Sequence, residues 1–289
     1  MLTCPICGDK DSQNLFPNIA YKDKGLFNMI RCKRCGVLFA DPFPPDDFLN
    51  SVYQDLVHDS SYQKRYGEKG IEWNIKNRFI PHLRLIEEYI KPASLLDLGC
   101  GEGVFLKLAR ERGWVPYGIE MSEPMVKKAR EVYGLENVKT GNLDFLDYQD
   151  GSFDVVTFIH SLEHLTRPLK ALKEAFRVIR KGGFVYIAVP NFNYQAYCNM
   201  FFIPLKLRRK IIGVLSQIAP PTHLWGFSIF SLEVLLNKAG FSLVRKVEGY
   251  GATAYFLDKK SYFLRICFAP FMRLHGGGFY IHVLGSKPN

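Results

Sequence analysis

Two residue patterns in this chain could do chemistry by type and spacing alone. The first is Cys4-Pro-Ile-Cys7-Gly8 with Cys32-Lys-Arg-Cys35-Gly36, a Cys-x-x-Cys-Gly turn that occurs twice. Thiolates two residues apart, each pair followed by a glycine, fold closely around an ion, and two such turns complete a tetrahedral four-sulfur shell. A closed shell of that kind leaves no position for a substrate, so the expected metal is structural Zn2+; an iron centre or four unrelated cysteines is the alternative. The 24 residues between Cys7 and Cys32 suit the strands of a zinc ribbon. Residues 1–42 show no obvious core of their own, which makes metal binding the natural source of their folding energy.

The second pattern is Gly99-Cys-Gly101-Glu-Gly103, directly after the apolar run Ser94-Leu-Leu-Asp-Leu98 and before a helical pattern over Val104–Arg112. Strand, glycine turn and helix open a nucleotide-binding unit, because the turn brings backbone N–H groups and a helix start to one ligand. The spacing is GxGxG and an acid, Asp97, lies inside the strand, which argues against the GxGxxG of dinucleotide folds. A second strand ends at Glu120, 23 residues after Asp97, where a parallel sheet sets a carboxylate beside the glycine turn to receive two ribose hydroxyls. Three histidines could act as bases near that end of the sheet. His160 and His164 follow the apolar strand Phe153–Ile159, and His223 stands in Pro221-Thr-His-Leu-Trp-Gly-Phe-Ser228, ahead of a helix predicted over Ser231–Ala239.

The elements that must hold these residues alternate in type. Strands are expected at Ser94–Leu98, Val115–Glu120, Val138–Gly141, Phe153–Ile159 and Phe184–Val189, with a helix from Pro168 to Arg180 before Gly182-Gly183. Such alternation implies an α/β fold: a Rossmann-like, doubly wound sheet with its ligand at the carboxyl ends of the strands. Apolar Ile75, Phe79, Leu83, Ile86 and Ile90 recur at spacings of three and four, so a helix is predicted over residues 71–90. The organisation read from these signals is a ribbon over 1–42, a helical connector or lid over 43–92 that includes Tyr62, Tyr66 and Trp73, and a catalytic domain over 93–289.

Taken together, Leu96-Asp-Leu-Gly-Cys-Gly-Glu-Gly103, Glu120, Ser161-Leu-Glu-His164 with Pro168, Val178-Ile-Arg-Lys-Gly-Gly183 and Val189-Pro-Asn191 resemble the class I S-adenosylmethionine-dependent methyltransferases. Within them the chain is similar to a bacterial group, methyltransferase type 23-like, whose fourth strand is followed by an EH pair and then proline. The resemblance spans residues 94–249 and resumes at 279–287, and it implies a seven-stranded sheet. It also implies that Asp97, Gly99, Gly101 and Gly103 hold the methionine part of S-adenosyl-L-methionine, that Glu120 holds the ribose, and that Asn142 and Leu143 address the adenine. Met121 and Ile159 are counted with these cofactor-binding residues. Relatives such as ubiquinone-pathway O-methyltransferases use an ExxEH and a later histidine to hold a divalent metal; here His160 replaces the first glutamate, leaving His160, Glu163, His164 and His223 as a conceivable set.

Composition bounds the setting. The 289 residues carry 38 Lys+Arg against 28 Asp+Glu, and 47% of them are hydrophobic, which excludes a disordered or fibrous chain. Seven cysteines, four of them in the paired turns, are metal arithmetic in a reducing compartment and not a disulfide framework. Apolar stretches such as Met200–Ile203 are far shorter than the roughly 18–20 residues of a spanning helix, and no apolar leader follows Met1, so a cytoplasmic location is expected.

The charge is not evenly spread. Residues 191–289 hold 12 Lys+Arg against 3 Asp+Glu, and segments at 193–220 and 251–277 mix cations with Phe, Ile and Leu. Such segments suit an anionic membrane face, here the inner one, and a lipid-linked acceptor. The same cations and aromatics could hold RNA together with the ribbon, or form a solvated lid and homodimer surface. The activity expected is O-methylation of a sugar, lipid-linked glycan or other small molecule, with a histidine base (EC 2.1.1.-). An RNA methyltransferase and a non-catalytic cofactor-binding scaffold are the alternatives.

Overall fold

The computed structural model describes residues 2–20, 26–45, 48–49, 75–192, 223–249 and 280–289. The predicted insertions at 193–220 and 251–277, and Tyr62, Tyr66 and Trp73 of the predicted lid, lie outside the described residues.

The central sheet has seven strands: β4 (Ser94–Leu98), β5 (Val115–Glu120), β6 (Val138–Thr140), β7 (Phe153–Ile159), β8 (Ile179–Pro190), β10 (Ser242–Gly249) and β11 (Tyr280–Ser286). Their spatial order is β10-β11-β8-β7-β4-β5-β6. The pairs β8-β7, β7-β4, β4-β5 and β5-β6 are parallel, whereas β11 runs antiparallel to both β8 and β10. Strands covered on both faces read as continuous apolar runs, which is why Leu95, Leu96 and Leu98 of β4 and Val155, Val156 and Phe158 of β7 are fully buried.

Helices begin and stop where the local chemistry dictates. α1 (Ile80–Glu87) follows a single π-helical turn, Ile75–Phe79; α2 (Val104–Glu111) starts directly from the glycine turn. α3 (Glu123–Tyr133) has proline in its first turn and ends on left-handed Gly134. α5 (Ile229–Ala239) starts two residues earlier than its apolar pattern indicates, because Ser228 and Ser231 form a reciprocal capping box. α4 (Pro168–Val178) ends two residues short of the predicted Arg180, since Ile179 already pairs with Phe153 as the first residue of β8. The register then slips between Phe153 and Val155, and the extra residues pass over Asp154, whose carbonyl leaves no room for a side chain on Gly183.

A second, antiparallel sheet is built from β1 (Ser12–Ala20), β2 (Leu26–Cys32), β3 (Leu38–Asp41) and a two-residue strand from far along the chain, β9 (Trp225–Gly226), in the order β1-β2-β3-β9. Its buried side chains, Met29, Ile30, Leu38 and Phe39 among them, belong to the same apolar cluster as Val156, Phe158, Leu172 and Val189 of the central sheet and its helix. One hydrophobic core therefore joins the cysteine-bearing sheet to the catalytic sheet.

Candidate active site

The turn after β4 and the end of β5 form one half of the site. Gly99, Gly101 and Gly103 all have positive φ, at 82°, 54° and 81°, the region that side chains avoid. Their surroundings differ. A side chain on Gly99 would lie 2.6 Å from Ser161 Cβ and one on Gly103 2.6 Å from Leu135, so close packing already requires glycine at both. At Gly101 an added Cβ would meet nothing within 4 Å, so the backbone there faces open space. Glu120 sits across from it: Gly101 donates its N–H to Oε2 at 2.9 Å and Ser122 donates to Oε1 at 3.0 Å. Each carboxylate oxygen keeps a second acceptor position, so a fixed, half-buried carboxylate beside an open glycine fits the ribose end of S-adenosylmethionine.

Asp97 lies under this turn. Its buried carboxylate accepts from Thr157 Oγ1 at 2.6 Å, and burial raises its pKa to about 7 against that bond. Asn142 is exposed, but its Oδ1 is already engaged by the Asp144 N–H at 3.0 Å. Leu143 and Ile159 are buried, so they offer a ligand mainly backbone, whereas Met121 is 51% exposed. Phe145, 71% exposed two residues beyond Leu143, was not signalled by the sequence, because a lone aromatic in a polar turn has no periodic partner.

The other half of the site follows β7. His160 takes a left-handed φ of 55°, unusual for a residue with a side chain and of a kind that clusters at functional sites. A single 3₁₀ turn, Leu162–His164, then sets Glu163 between histidines: its Oε1 is 3.6 Å from His160 Nδ1 and 3.9 Å from His164 Nε2. The His164 and His223 rings are 4.6 Å apart. Glu163, His164 and His223 bring one donor atom each within 4.8 Å of one another, with His160 outside that group. Glu163 is 1% exposed and neither carboxylate oxygen has a hydrogen-bond partner among the described residues. Burial raises its pKa to about 8 and pushes that of His160 well below the ordinary histidine range. The glutamate therefore holds a proton at neutral pH while His160 stays uncharged and able to accept one.

Behind His160 lies a network that sequence reasoning missed. His82 Nδ1 and His282 Nδ1 are 2.7 and 2.9 Å from Tyr186 Oη, so one hydroxyl joins the two rings by hydrogen bonds. Burial lowers His82 well below its usual range and His282 to about 4. His82 sits within the apolar stripe of α1, where a histidine carries no distinguishing spacing.

The four cysteines of the N-terminal sheet form a separate cluster, with one sulfur each within 4.8 Å. Cys4 and Cys35 Sγ are 3.7 Å apart, and Cys7 and Cys32 Sγ 3.5 Å. A zinc–sulfur bond of about 2.3 Å in a tetrahedron sets sulfurs about 3.8 Å apart, so the donor set fits a metal. Gly8 and Gly36, both left-handed, donate back to the Cys4 and Cys32 carbonyls at 2.9 Å and close the two turns.

A glycine turn with an acid on the next strand, over a seven-stranded sheet of this order, defines the class I methyltransferase fold. Residues 76–246, more than half of the chain, match the family described as Methyltransferase domain, and the chain belongs to it as a class I S-adenosylmethionine-dependent methyltransferase. A ubiquinone biosynthesis O-methyltransferase of Saccharophagus degradans is 28% identical over 140 residues, 43% of this chain and 59% of that protein. The chain thus spans about three fifths of that relative's length. Among solved structures, the complex of the Haloferax volcanii Trm112 methyltransferase activator with a methyltransferase is similar at a TM-score of 0.59 and 19% identity, covering 81% of this chain and 97% of that one. An S-adenosylmethionine-dependent methyltransferase of Archaeoglobus fulgidus gives 0.55 and 20%, covering 79% and 100%.

Proposed function

We propose that the protein methylates a hydroxyl of a sugar, a lipid-linked glycan or another small metabolite, with His160 or His223 as the base. The observation that carries this reading is the gathering of His160, His164 and His223 around Glu163 at the carboxyl end of β7, on the strand next to the glycine turn. S-adenosylmethionine supplies an electrophilic methyl group when bound. In this reading Asp97 and the turn of Gly99, Gly101 and Gly103 hold its methionine part, Glu120 takes the ribose, and the backbones around Asn142 and Leu143 meet the adenine. Holding donor and acceptor in line contributes roughly 7–11 kcal/mol. A histidine that takes the acceptor proton adds about 10²–10⁴ in rate, and the low pKa of His160 keeps its ring in the accepting form.

Support for oxygen as the acceptor comes from the printed activity of the Saccharophagus degradans relative, an O-methyltransferase. A second reading is favoured by Glu163, whose buried Oε1 lies near His160 and His164: Glu163, His164 and His223 could together hold a divalent metal that orients the acceptor. The four cysteines are read as the structural zinc site of a ribbon. The basic segments at 193–220 and 251–277 suit a peripheral contact with an anionic inner membrane face, in the cytoplasm.

The test is to incubate the purified chain and methyl-labelled cofactor with a cell extract divided into lipid, RNA and soluble pools. Label in the lipid or soluble saccharide pool is expected; label in RNA would defeat the glycan reading. His160→Ala and His223→Ala separate the parts, since a base can be lost without loss of cofactor binding. If neither substitution lowers turnover, both base assignments fail.

A further inference from the structure

The segment that carries His223 is held from two sides. On one side it belongs to the N-terminal sheet: Leu38 and Phe39 of β3 pair with Gly226 and Trp225 of β9, and Ala40 donates its N–H to the Leu224 carbonyl at 2.9 Å. On the other side Leu224 donates its own N–H to the Glu163 carbonyl at 2.9 Å, and Trp225 Nε1 donates to the Leu165 carbonyl at 2.6 Å. Leu224 is thus one residue whose carbonyl answers to the cysteine-bearing sheet and whose N–H answers to the loop after β7. His223 immediately precedes it.

Side chains repeat the arrangement. The Trp225 ring packs against Phe39 and Phe43 with centroids 6.2 and 5.2 Å apart, and stacks on Phe227 at 6.2 Å with the planes 10° apart. Leu224, Trp225 and Phe227 are all buried, as are Leu38, Phe39 and Ala40. A strand of two residues has no stability of its own, so β9 exists because β3 is there to pair with it. In turn β2, which ends at Cys32, and β3 flank the turn that carries Cys35. A metal held by the four cysteines would add its binding free energy to the folding of this sheet.

We propose that Trp225 is a positioning residue, and that through it and the β3–β9 pairing the four-cysteine sheet sets His223 against His164 and Glu163. Filling of the cysteine site and the geometry of the acceptor-side histidines are then coupled through one shared strand. The metal part of this inference rests on the zinc reading above; the positioning by Trp225 does not.

The experiment compares the 289-residue chain as purified with Cys7→Ser, Trp225→Phe and Trp225→Ala. Hydrogen exchange is followed by mass spectrometry, the histidine resonances by nitrogen-15 NMR with His223→Asn for assignment, and cofactor-site integrity by calorimetry with S-adenosylhomocysteine. In Cys7→Ser, exchange over 223–228 should rise at least tenfold together with 26–41, and the His164 and His223 resonances should move. Affinity for S-adenosylhomocysteine should stay within twofold. Trp225→Phe keeps an aromatic ring but loses the indole N–H and the fused five-membered ring, so it should shift the His223 resonance without releasing metal, and Trp225→Ala should shift it further. If Trp225→Ala does not fold, Trp225→Phe decides. The inference is overturned if 26–41 opens while 223–228 stays protected and the histidine resonances stand still. A uniform rise in exchange with loss of S-adenosylhomocysteine binding also overturns it, because the sheet then supports the whole molecule and not this segment. A chain that carries no metal would remove the zinc reading, and the Trp225 variants alone would decide the positioning. Failure of the unaltered chain to bind S-adenosylhomocysteine would count against the cofactor-site assignments and leave the exchange result to stand.

Discussion

Gly101 donates its backbone N–H to Glu120 Oε2 at 2.9 Å, tying the turn after β4 to the last residue of β5. The bond orients a carboxylate beside the one glycine of the turn that faces open space. Glu120→Ala removes that carboxylate and strands two backbone donors. Affinity for S-adenosylhomocysteine should fall at least tenfold, about 1.4 kcal/mol, with Glu120→Gln between the two. An unchanged dissociation constant in calorimetry would remove Glu120 from the cofactor site.

Gly103 and Gly101 should separate by what surrounds them. Gly103→Ala forces a methyl into Leu135 and Ala129, at 2.6 and 3.0 Å, and should lower stability by about 1–3 kcal/mol from overpacking beyond the backbone strain. Gly101→Ala meets no neighbour, so its stability loss should be limited to the roughly 1–2 kcal/mol of a left-handed residue. Its effect should appear in cofactor binding. Urea melts and calorimetry on both variants check the split; normal binding by Gly101→Ala would mean that no ligand approaches that backbone.

Asp97 predicts a pH dependence of definite sign. Burial raises its folded pKa to about 7 from 3.8, so the folded protein holds a proton that the unfolded chain releases. Its contribution to stability is fully present below about pH 4 and is lost as the pH rises through 7. Glu163, raised to about 8 from 4.5, acts in the same direction over a window ending higher. Denaturant midpoints measured from pH 5 to 8 should therefore fall more steeply for the unaltered protein than for Asp97→Asn. Parallel curves would show that Asp97 titrates alike in both states.

Metal analysis of the purified chain should give one zinc per molecule, and Cys32→Ala should lose it along with several degrees of melting temperature. Retention of full zinc content by Cys32→Ala would dissolve the four-thiolate assignment.

Much of the framework was legible in the residues. The glycine turn, the acid 23 residues after Asp97 and the paired cysteine turns are local patterns, and backbone conformation, helix capping and strand periodicity are decided locally. The strands of the central sheet and the pairing of Glu120 with the turn follow from such patterns. The end of α4 did not, because the start of β8 is set by a partner, Phe153, 26 residues away.

The second half of the site belongs to tertiary structure. That His164 meets His223, that Tyr186 binds His82 and His282 across separations of 104 and 96 residues, and that β9 joins the N-terminal sheet all depend on which distant segments pack together. No spacing records that choice, because it is made by burial of apolar surface, which is indifferent to the order in which the chain supplies its residues.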